Sequence, residues 1–273
     1  MAVSRFLGVD LAWSEGRDGR SSNESGVAVL DLAGRVLDAG WTRGIAETVE
    51  WIKPQAGAES ALLFVDAPLV VSNETGQRPC ETQVGQRYGR WKVSANTTNL
   101  HSPRLAGVAL RERLEDAGWR YSDGFVGPPT DGPVISECYP YTTLVGVVEL
   151  GYDVERPRYK RKPRSLRTAE WRPRRATTCD ELIRQLLRLE KADPPLLLCS
   201  HPETRKLVEE PSPIKEREYK HREDLIDALL CAWTAALWAR HKQPRCQVLG
   251  QQGLGPGGPY ATIVAPARPE QRR

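Results

Sequence analysis

Four aspartates stand where a carboxylate is costly unless it meets a cation. Asp10 closes the apolar run at residues 6–9, Asp66 closes the run at residues 62–65, and Asp224 and Asp227 open a long apolar segment. A short apolar run bounded by turn residues is typical of a buried strand. Burying a carboxylate costs several kcal/mol unless it is paired, hydrogen-bonded or bound to a metal. These positions therefore predict a metal site.

Each aspartate taken alone has a simpler explanation, because Asp often closes turns or caps helices through nearby backbone amides. Asp227 fits that explanation poorly. It lies inside the apolar segment 225–233, beyond the first helical turn in which the helix dipole favours acids. Residues three apart on a helix have Cβ atoms about 5–6 Å apart on one face. Asp224 and Asp227 can therefore point at one ion or straddle a pair of ions.

Clustered carboxylates repel one another unless they are protonated or neutralised by divalent cations. Two Mg²⁺ or Mn²⁺ ions, roughly 3.5–4 Å apart, would neutralise them, activate a water molecule and stabilise the leaving oxygen of a phosphodiester. In this hypothesis Asp10 bridges the ions, and Asp66 and Asp227 are direct ligands. Asp224 is a ligand or a nearby base.

Two further residues are weaker candidates for the same site. Glu137 ends a short apolar run and is either a fourth, auxiliary carboxylate or the acceptor of a backbone amide ahead of the turn at Pro140. His221 lies one helical turn before Asp224, where it could orient water or a leaving group, or could simply be solvated.

The segment 156–175 is strongly basic, with about half of its residues Lys or Arg. Its prolines argue against a continuous helix, so we expect an exposed loop or extended arm. Guanidinium groups bind phosphates and aromatic rings stack on bases, which favours nucleic acid as the partner over a merely solvated loop. The residues predicted to bind nucleic acid are Arg158, Lys160, Arg161, Lys162, Arg164 and Trp171.

Composition narrows the class of protein. The 273 residues are 40% hydrophobic and 27% charged, as in soluble globular proteins, and the net charge is +4. The N-terminal apolar stretch is too short for a signal peptide, and no run is long enough to span a membrane, so we expect a cytoplasmic protein that does not bind membranes. Six cysteines without a Cys-x-x-Cys pair argue against zinc fingers and disulfide scaffolds. Oligomeric state leaves no readable pattern.

The elements that must position these residues predict an α/β fold with a mixed sheet. Three strands open the chain as an antiparallel meander, and later strands alternate with helices, which favours parallel pairing. A polar insertion follows the fourth strand, and a Gly/Pro-rich tail ends the chain. We expect strands at 5–10, 26–31, 36–41, 61–66, 134–138 and 196–200, helices at 45–52, 103–117, 179–191 and 222–240, an insertion at 68–133, one domain at 1–243 and a tail at 244–273 with an edge strand at 260–264.

Four short motifs, at residues 8–13, 65–69, 137–140 and 221–229, together resemble the DUF429 family of predicted nucleases with a ribonuclease H-like fold. The resemblance spans residues 6 to about 240. It implies a mixed sheet whose first strand carries the principal metal ligand, a neighbouring parallel strand that supplies the second, and a C-terminal helix that supplies the last. The final motif is also similar to the end of RuvC-type junction resolvases, in which two helix aspartates three residues apart meet strand carboxylates.

Three alternatives stand beside a metal-dependent nuclease. The same fold core occurs in ATP-dependent phosphotransferases, but those proteins follow the first acid with a Gly- and hydroxyl-rich phosphate turn, and here Leu11-Ala12-Trp13 occupies that place. A nucleic-acid-binding module that never cleaves would bind in a salt-sensitive way without regard to Mg²⁺. An interaction protein would use the basic arm to dock an acidic partner.

Overall fold

A computed structural model describes residues 3–12, 23–56, 60–103, 105–160, 162–251 and 259–271. The strands in this part of the chain are β1 (Val3–Asp10), β2 (Glu24–Asp31), β3 (Val36–Arg43), β4 (Ser60–Val65), β5 (Arg120–Tyr121), β6 (Val134–Glu137), β7 (Cys246–Gly250) and β8 (Thr262–Pro266). The α-helices are α1 (Gly44–Ala56), α2 (Pro79–Tyr88), α3 (Ala106–Asp116), α4 (Pro140–Gly146), α5 (Thr168–Leu186), α6 (Pro202–Glu209) and α7 (Glu216–His241).

The main sheet has six strands in the order β3-β2-β1-β4-β6-β5. Its first three strands pair antiparallel, and β4, β6 and β5 continue the sheet in parallel with β1. This confirms the predicted α/β class, with an antiparallel three-strand opening followed by parallel strands, and it is consistent with a ribonuclease H-like fold. Because β1 and β4 are parallel neighbours, their carboxyl ends meet at one edge of the sheet.

Side chains alternate between the two faces of the sheet, as the pleat requires. Leu7 and Val9 of β1 join a core with α1 and α3, whereas Phe6 packs into the larger core around α7. Helices therefore cover both faces. This arrangement explains why β1 and β4 are apolar along almost their whole length.

Helix α7 lies in direct contact with the backbone of the sheet. A Cβ atom on Gly8 would stand 2.0 Å from the carbonyl oxygen of Ala228, and one on Gly26 would stand 2.2 Å from the carbonyl oxygen of Asp224. Only glycine permits so close an approach. The two glycines thus fix the depth at which α7 crosses β1 and β2.

Several predicted elements differ in the structure. The segment 196–200 is a short 3₁₀ turn at Leu198–Ser200 rather than a strand, with one bridge between Leu197 and Arg35. A short apolar run does not distinguish a strand from a buried turn, and here burial of Leu196 and Leu198 accounts for the apolar pattern.

The basic arm also differs, because α5 begins at Thr168 and includes Pro173 in its second turn. A proline near a helix start removes few hydrogen bonds. Burial of Trp171 and Cys179, together with the ion pair between Arg175 and Glu216, holds the helix in place. Similarly, α1 continues through Pro54 to Ala56 instead of ending before the proline.

The insertion at 68–133 contains α2, α3 and β5, of which only α3 was expected. The predicted tail contributes β7 and β8, which pair with each other in a separate two-stranded sheet. This sheet packs on α2, where the Tyr88 hydroxyl donates to the carbonyl oxygen of Pro266 over 2.5 Å. Among the described residues, no helix combines the length and the apolar character needed to cross a membrane.

Candidate metal centre

Asp10 and Asp66 meet at the carboxyl edge of the parallel pair β1 and β4. Asp10 is the last residue of β1, and Asp66 directly follows β4. The amide of Asp66 donates to the carbonyl oxygen of Val9 over 2.9 Å, which continues the ladder between the two strands. Both side chains are partly exposed. The sheet register therefore places the two strand carboxylates side by side, as the sequence predicts.

Helix α7 supplies the remaining carboxylates. Asp227 is completely buried and Asp224 is 3% exposed. The contacts of α7 with two glycines position both aspartates. Ala228, the neighbour of Asp227, packs against Gly8, and the backbone of Asp224 packs against Gly26. Oxygen atoms of Asp10, Asp66 and Asp227 all lie within 4.8 Å of one another. The three residues predicted to be metal ligands are thus brought together.

This donor set fits a hard divalent cation, for which carboxylate oxygens are the preferred ligands in proteins. Asp227 is fully buried, and Oδ2 of its carboxylate is paired with the Lys160 ammonium. The geometry therefore supports a metal site made by Asp10, Asp66 and Asp227.

Crowding of negative charge changes the acidity of two of these carboxyls. Burial, together with the neighbouring Asp10 carboxylate, raises the pKa of Asp66 to about 7 and the pKa of Asp224 to about 8. Nearby lysines oppose both shifts without cancelling them. In the absence of metal, these two carboxyls therefore retain protons close to neutral pH. Binding of a divalent cation would release those protons.

Two lysines enter the acidic cluster. The Lys160 ammonium lies against Oδ2 of Asp227. Lys220, one turn before Asp224 on α7, pairs with Asp224 and also with Glu223 at 3.0 Å. Burial alone would lower the pKa of Lys160, but the charges of Asp10 and Asp66 outweigh burial and raise it. Both lysines therefore carry positive charge at neutral pH.

Tyr159 anchors the segment that delivers Lys160. Its hydroxyl donates to Oδ1 of Asp227 over 2.5 Å, and its carbonyl oxygen accepts from the hydroxyl of Tyr219 over 2.6 Å. The ring of Tyr159 is fully buried. The basic arm consequently begins inside the metal centre and is not wholly a surface segment.

Glu137 lies beside this cluster but is engaged elsewhere. Arg78 donates to both of its carboxylate oxygens, at 2.8 and 2.7 Å, and the Leu69 amide donates to Oε2 over 3.0 Å. Arg78 also pairs with Glu81 at 2.9 Å, and all three charged side chains are buried. The arrangement favours a structural role for Glu137, as an acceptor of a backbone amide. The amide that donates to it belongs to Leu69 and not to the turn at Pro140.

His221 lies outside the triad, in a cleft of about 840 Å³ that reaches Asp224. It pairs with Glu24, and its ring lies 4.9 Å from that of Trp41. The indole nitrogen of Trp41 also donates to the His221 carbonyl oxygen over 3.0 Å. These contacts hold the imidazole at the mouth of the site, and the auxiliary role of His221 stays a prediction.

The residues predicted to bind nucleic acid separate into two groups. Lys162 and Arg164 are exposed, and Arg158 is exposed beside Glu155. Lys160, by contrast, points into the metal centre. Trp171 is 6% exposed, so the predicted stacking on bases does not fit its buried position in α5. Arg161 lies outside the described residues.

Sequence reasoning missed Lys220, Tyr159 and Arg78 as parts of this region. Lys220 carries a usable signal, because a lysine four residues before an aspartate on a helix lies on the same face. Tyr159 and Arg78 carry no local signal, since their partners are distant in the chain.

The fold and the site together define an α/β protein with a mixed sheet and an acidic cluster able to hold a metal ion. A family model described as "Protein of unknown function (DUF429)" matches residues 8–249, and the chain belongs to the DUF429 family. The family expected from the four motifs is therefore confirmed. Searches of curated proteins and of solved structures each returned no match.

Proposed function

We propose that this protein is a cytoplasmic, divalent-metal-dependent nuclease that hydrolyses phosphodiester bonds. The proposal rests on one observation, the convergence of Asp10, Asp66 and Asp227 within 4.8 Å at the carboxyl edge of a mixed sheet. A cluster of three carboxylates with a purely structural role would be energetically costly, because like charges repel at this distance.

Asp10, Asp66 and Asp227 would hold Mg²⁺ or Mn²⁺. When bound, such an ion acts as a Lewis acid and lowers the pKa of a water molecule. In the hydrolysis, the water molecule would lose a proton to solvent as its oxygen forms a bond to phosphorus, the bond between phosphorus and the leaving oxygen would break, and the leaving oxygen would take up a proton. Asp224, with a pKa near 8, is placed to exchange that proton with solvent. The lysines offset the negative charge of the arriving phosphate.

The cleft beside Asp224 is lined by charged residues of both signs. Arg43, Arg217 and Lys220 stand there with the acids Glu24, Glu216 and Asp224, so these charges balance. The positive charge for binding a polyanion would come from the exposed Arg158, Lys162 and Arg164 of the basic arm. We propose that nucleic acid, either DNA or RNA, crosses this surface with one phosphate at the carboxylate cluster.

The direct test incubates the purified protein with labelled single strands, duplexes, RNA/DNA hybrids and four-way junctions. Each reaction contains Mg²⁺, Mn²⁺ or EDTA, and runs in parallel with Asp10→Asn and with Asp116→Asn. Asp116 is exposed at the end of α3 and provides the matched control. We expect cleavage by the wild type and by Asp116→Asn, and a loss of at least about 100-fold in Asp10→Asn, since even residues that only orient metal ligands contribute about 10–100-fold.

Retained turnover in Asp10→Asn would contradict the assignment of the site. Salt-sensitive binding without cleavage under every condition would support the non-catalytic binding module instead. A rise in thermal stability with Mg²⁺-nucleotide, but not with nucleic acid, would support the phosphotransferase alternative.

A further inference from the structure

Lys160 is held in the metal centre by contacts from several directions. Its ammonium lies against Oδ2 of Asp227, and it lies 5.3 and 5.6 Å from the ring centroids of Tyr141 and Tyr159. Only 20% of the side chain is exposed. A cation over aromatic faces is attracted by the ring electrons, and the attraction strengthens when water is excluded.

The backbone before Lys160 is fixed as well. Tyr159 is tied to α7 at both ends, through its hydroxyl to Asp227 and through its carbonyl oxygen to Tyr219. A lysine on a mobile arm would lose considerable side-chain entropy in reaching the site. Here the fold itself brings the lysine to the carboxylates, because Tyr159 is anchored in the core.

The carboxylate of Asp227 has too few free positions to coordinate two metal ions. The Tyr159 hydroxyl occupies Oδ1, and the Lys160 ammonium occupies the space in front of Oδ2. The charge balance agrees. Three carboxylates and the Lys160 ammonium leave two negative charges, which one divalent cation neutralises, and the neighbouring group of Asp224, Glu223 and Lys220 adds one more negative charge. Lys220 is engaged separately by Asp224 and Glu223.

We propose that the Lys160 ammonium takes the place of one of the two divalent cations, so that the carboxylate cluster binds a single divalent ion and Lys160 contacts the phosphate itself. This inference rests on the proposed function and replaces the two-ion arrangement predicted from the sequence by a single ion. Lys160 becomes a catalytic residue that stabilises negative charge on the phosphoryl oxygens, a role that a fixed positive charge performs without reorganisation.

The test counts bound ions in metal-stripped protein by titration calorimetry with Mn²⁺ and by electron paramagnetic resonance of the bound Mn²⁺. We expect one ion in the wild type, with the spectrum of an isolated ion. Lys160→Met should bind two ions with the spectrum of an exchange-coupled pair, because two-metal sites hold their ions roughly 3.5–4 Å apart. Lys160→Arg retains the charge and should bind one ion.

Lys162→Met is the matched control, since Lys162 is an exposed lysine two residues away that donates to the Thr168 hydroxyl. It should bind one ion. Circular dichroism establishes that each variant is folded, and Lys160→Arg keeps the test decisive if Lys160→Met does not fold, because two ions in that variant would contradict the proposal.

Two ions in the wild type, or one ion in both the wild type and folded Lys160→Met, would overturn the role of Lys160 and leave metal-dependent cleavage standing. No bound Mn²⁺ and no cleavage in the wild type would overturn the proposed function itself. The two failures are therefore distinguishable.

Discussion

Gly8 of β1 lies directly beneath Ala228 of α7, so that a methyl group on Gly8 would stand 2.0 Å from the Ala228 carbonyl oxygen. Ala228 is the neighbour of Asp227 in the chain. The absence of a side chain on one strand residue therefore sets the distance between the helix carboxylate and the strand carboxylates.

Gly8→Ala should lower the free energy of unfolding by at least about 3 kcal/mol, the upper end of the usual cost of overpacking a core. The clash is with the backbone, which cannot move aside without displacing α7. Urea unfolding measures the change. Gly40→Ala is the control, because a Cβ there meets nothing within 4 Å, and it should change stability by less than about 1 kcal/mol. Equal stability of the two variants would refute the stated contact.

Arg78→Met should destabilise the protein by about 3–5 kcal/mol, because it leaves Glu137 and Glu81 buried without their cation. The exposed pair of Arg120 and Asp131 gives the control, and Arg120→Met should cost less than about 1 kcal/mol. Thermal or urea denaturation measures the loss of stability in each of the two variants.

Glu137→Gln tests whether Glu137 is structural or a metal ligand. If Glu137 is structural, the variant should be less stable, and its Mn²⁺ affinity should stay within about threefold of the wild type. Residues that orient metal ligands typically change the affinity by about 10–100-fold when they are replaced. Calorimetry measures the affinity. Loss of Mn²⁺ binding at undiminished stability would restore the catalytic role predicted from the sequence.

The stability of the metal-free protein should depend on pH in a direction set by Asp66 and Asp224. Their pKa values in the folded protein, about 7 and about 8, exceed the ordinary value of 3.8. Between pH 4 and these values the folded state binds more protons than the unfolded state, so the free energy of unfolding falls as pH rises through this window.

Urea unfolding in EDTA at pH 5 and pH 8 measures that fall, and Asp66→Asn should reduce it because the variant removes one of the titrating groups. Mn²⁺ affinity should rise over the same window, with proton release on binding. A wild-type slope equal to that of Asp66→Asn would show that Asp66 does not titrate there.

Tyr159→Phe removes the hydrogen bond to Asp227 and leaves the buried ring in place. Loss of a donor to a charged acceptor should lower the free energy of unfolding by about 1.5–3 kcal/mol in metal-free protein. Tyr121→Phe is the comparison, because its hydroxyl donates to the neutral carbonyl oxygen of Tyr260, and it should cost about 0.5–1.5 kcal/mol. Equal losses would indicate that Asp227 is not charged.

The strand aspartates could be predicted because the information is local. An apolar run that ends in a carboxylate predicts both the strand and the sheet edge at which the carboxylate lies, and Asp10 and Asp66 do lie at that edge. Asp227 was recognisable because an acid within an apolar helix is unusual. The sheet class followed from the same runs, since pairing direction depends on whether a hairpin or a helix connects them.

Lys160 and Glu137 were harder to interpret because their partners lie far along the chain. The basic density of residues 156–175 suggested a uniform surface, whereas Tyr159 and Tyr219 turn the start of that segment inward. Arg78 lies 59 residues before Glu137, and no spacing rule connects them. Local patterns locate charges, but long-range packing decides which charges neutralise each other.

Because α7 supplies Asp227, the three carboxylates cannot meet until most of the chain has been synthesised. A chain that ends before α7 contains only the strand aspartates of the cluster, on a sheet whose larger face lacks its covering helix. Contacts of such high sequence separation form late in folding. Any property that needs all three carboxylates therefore arises only when the last long helix docks on the sheet.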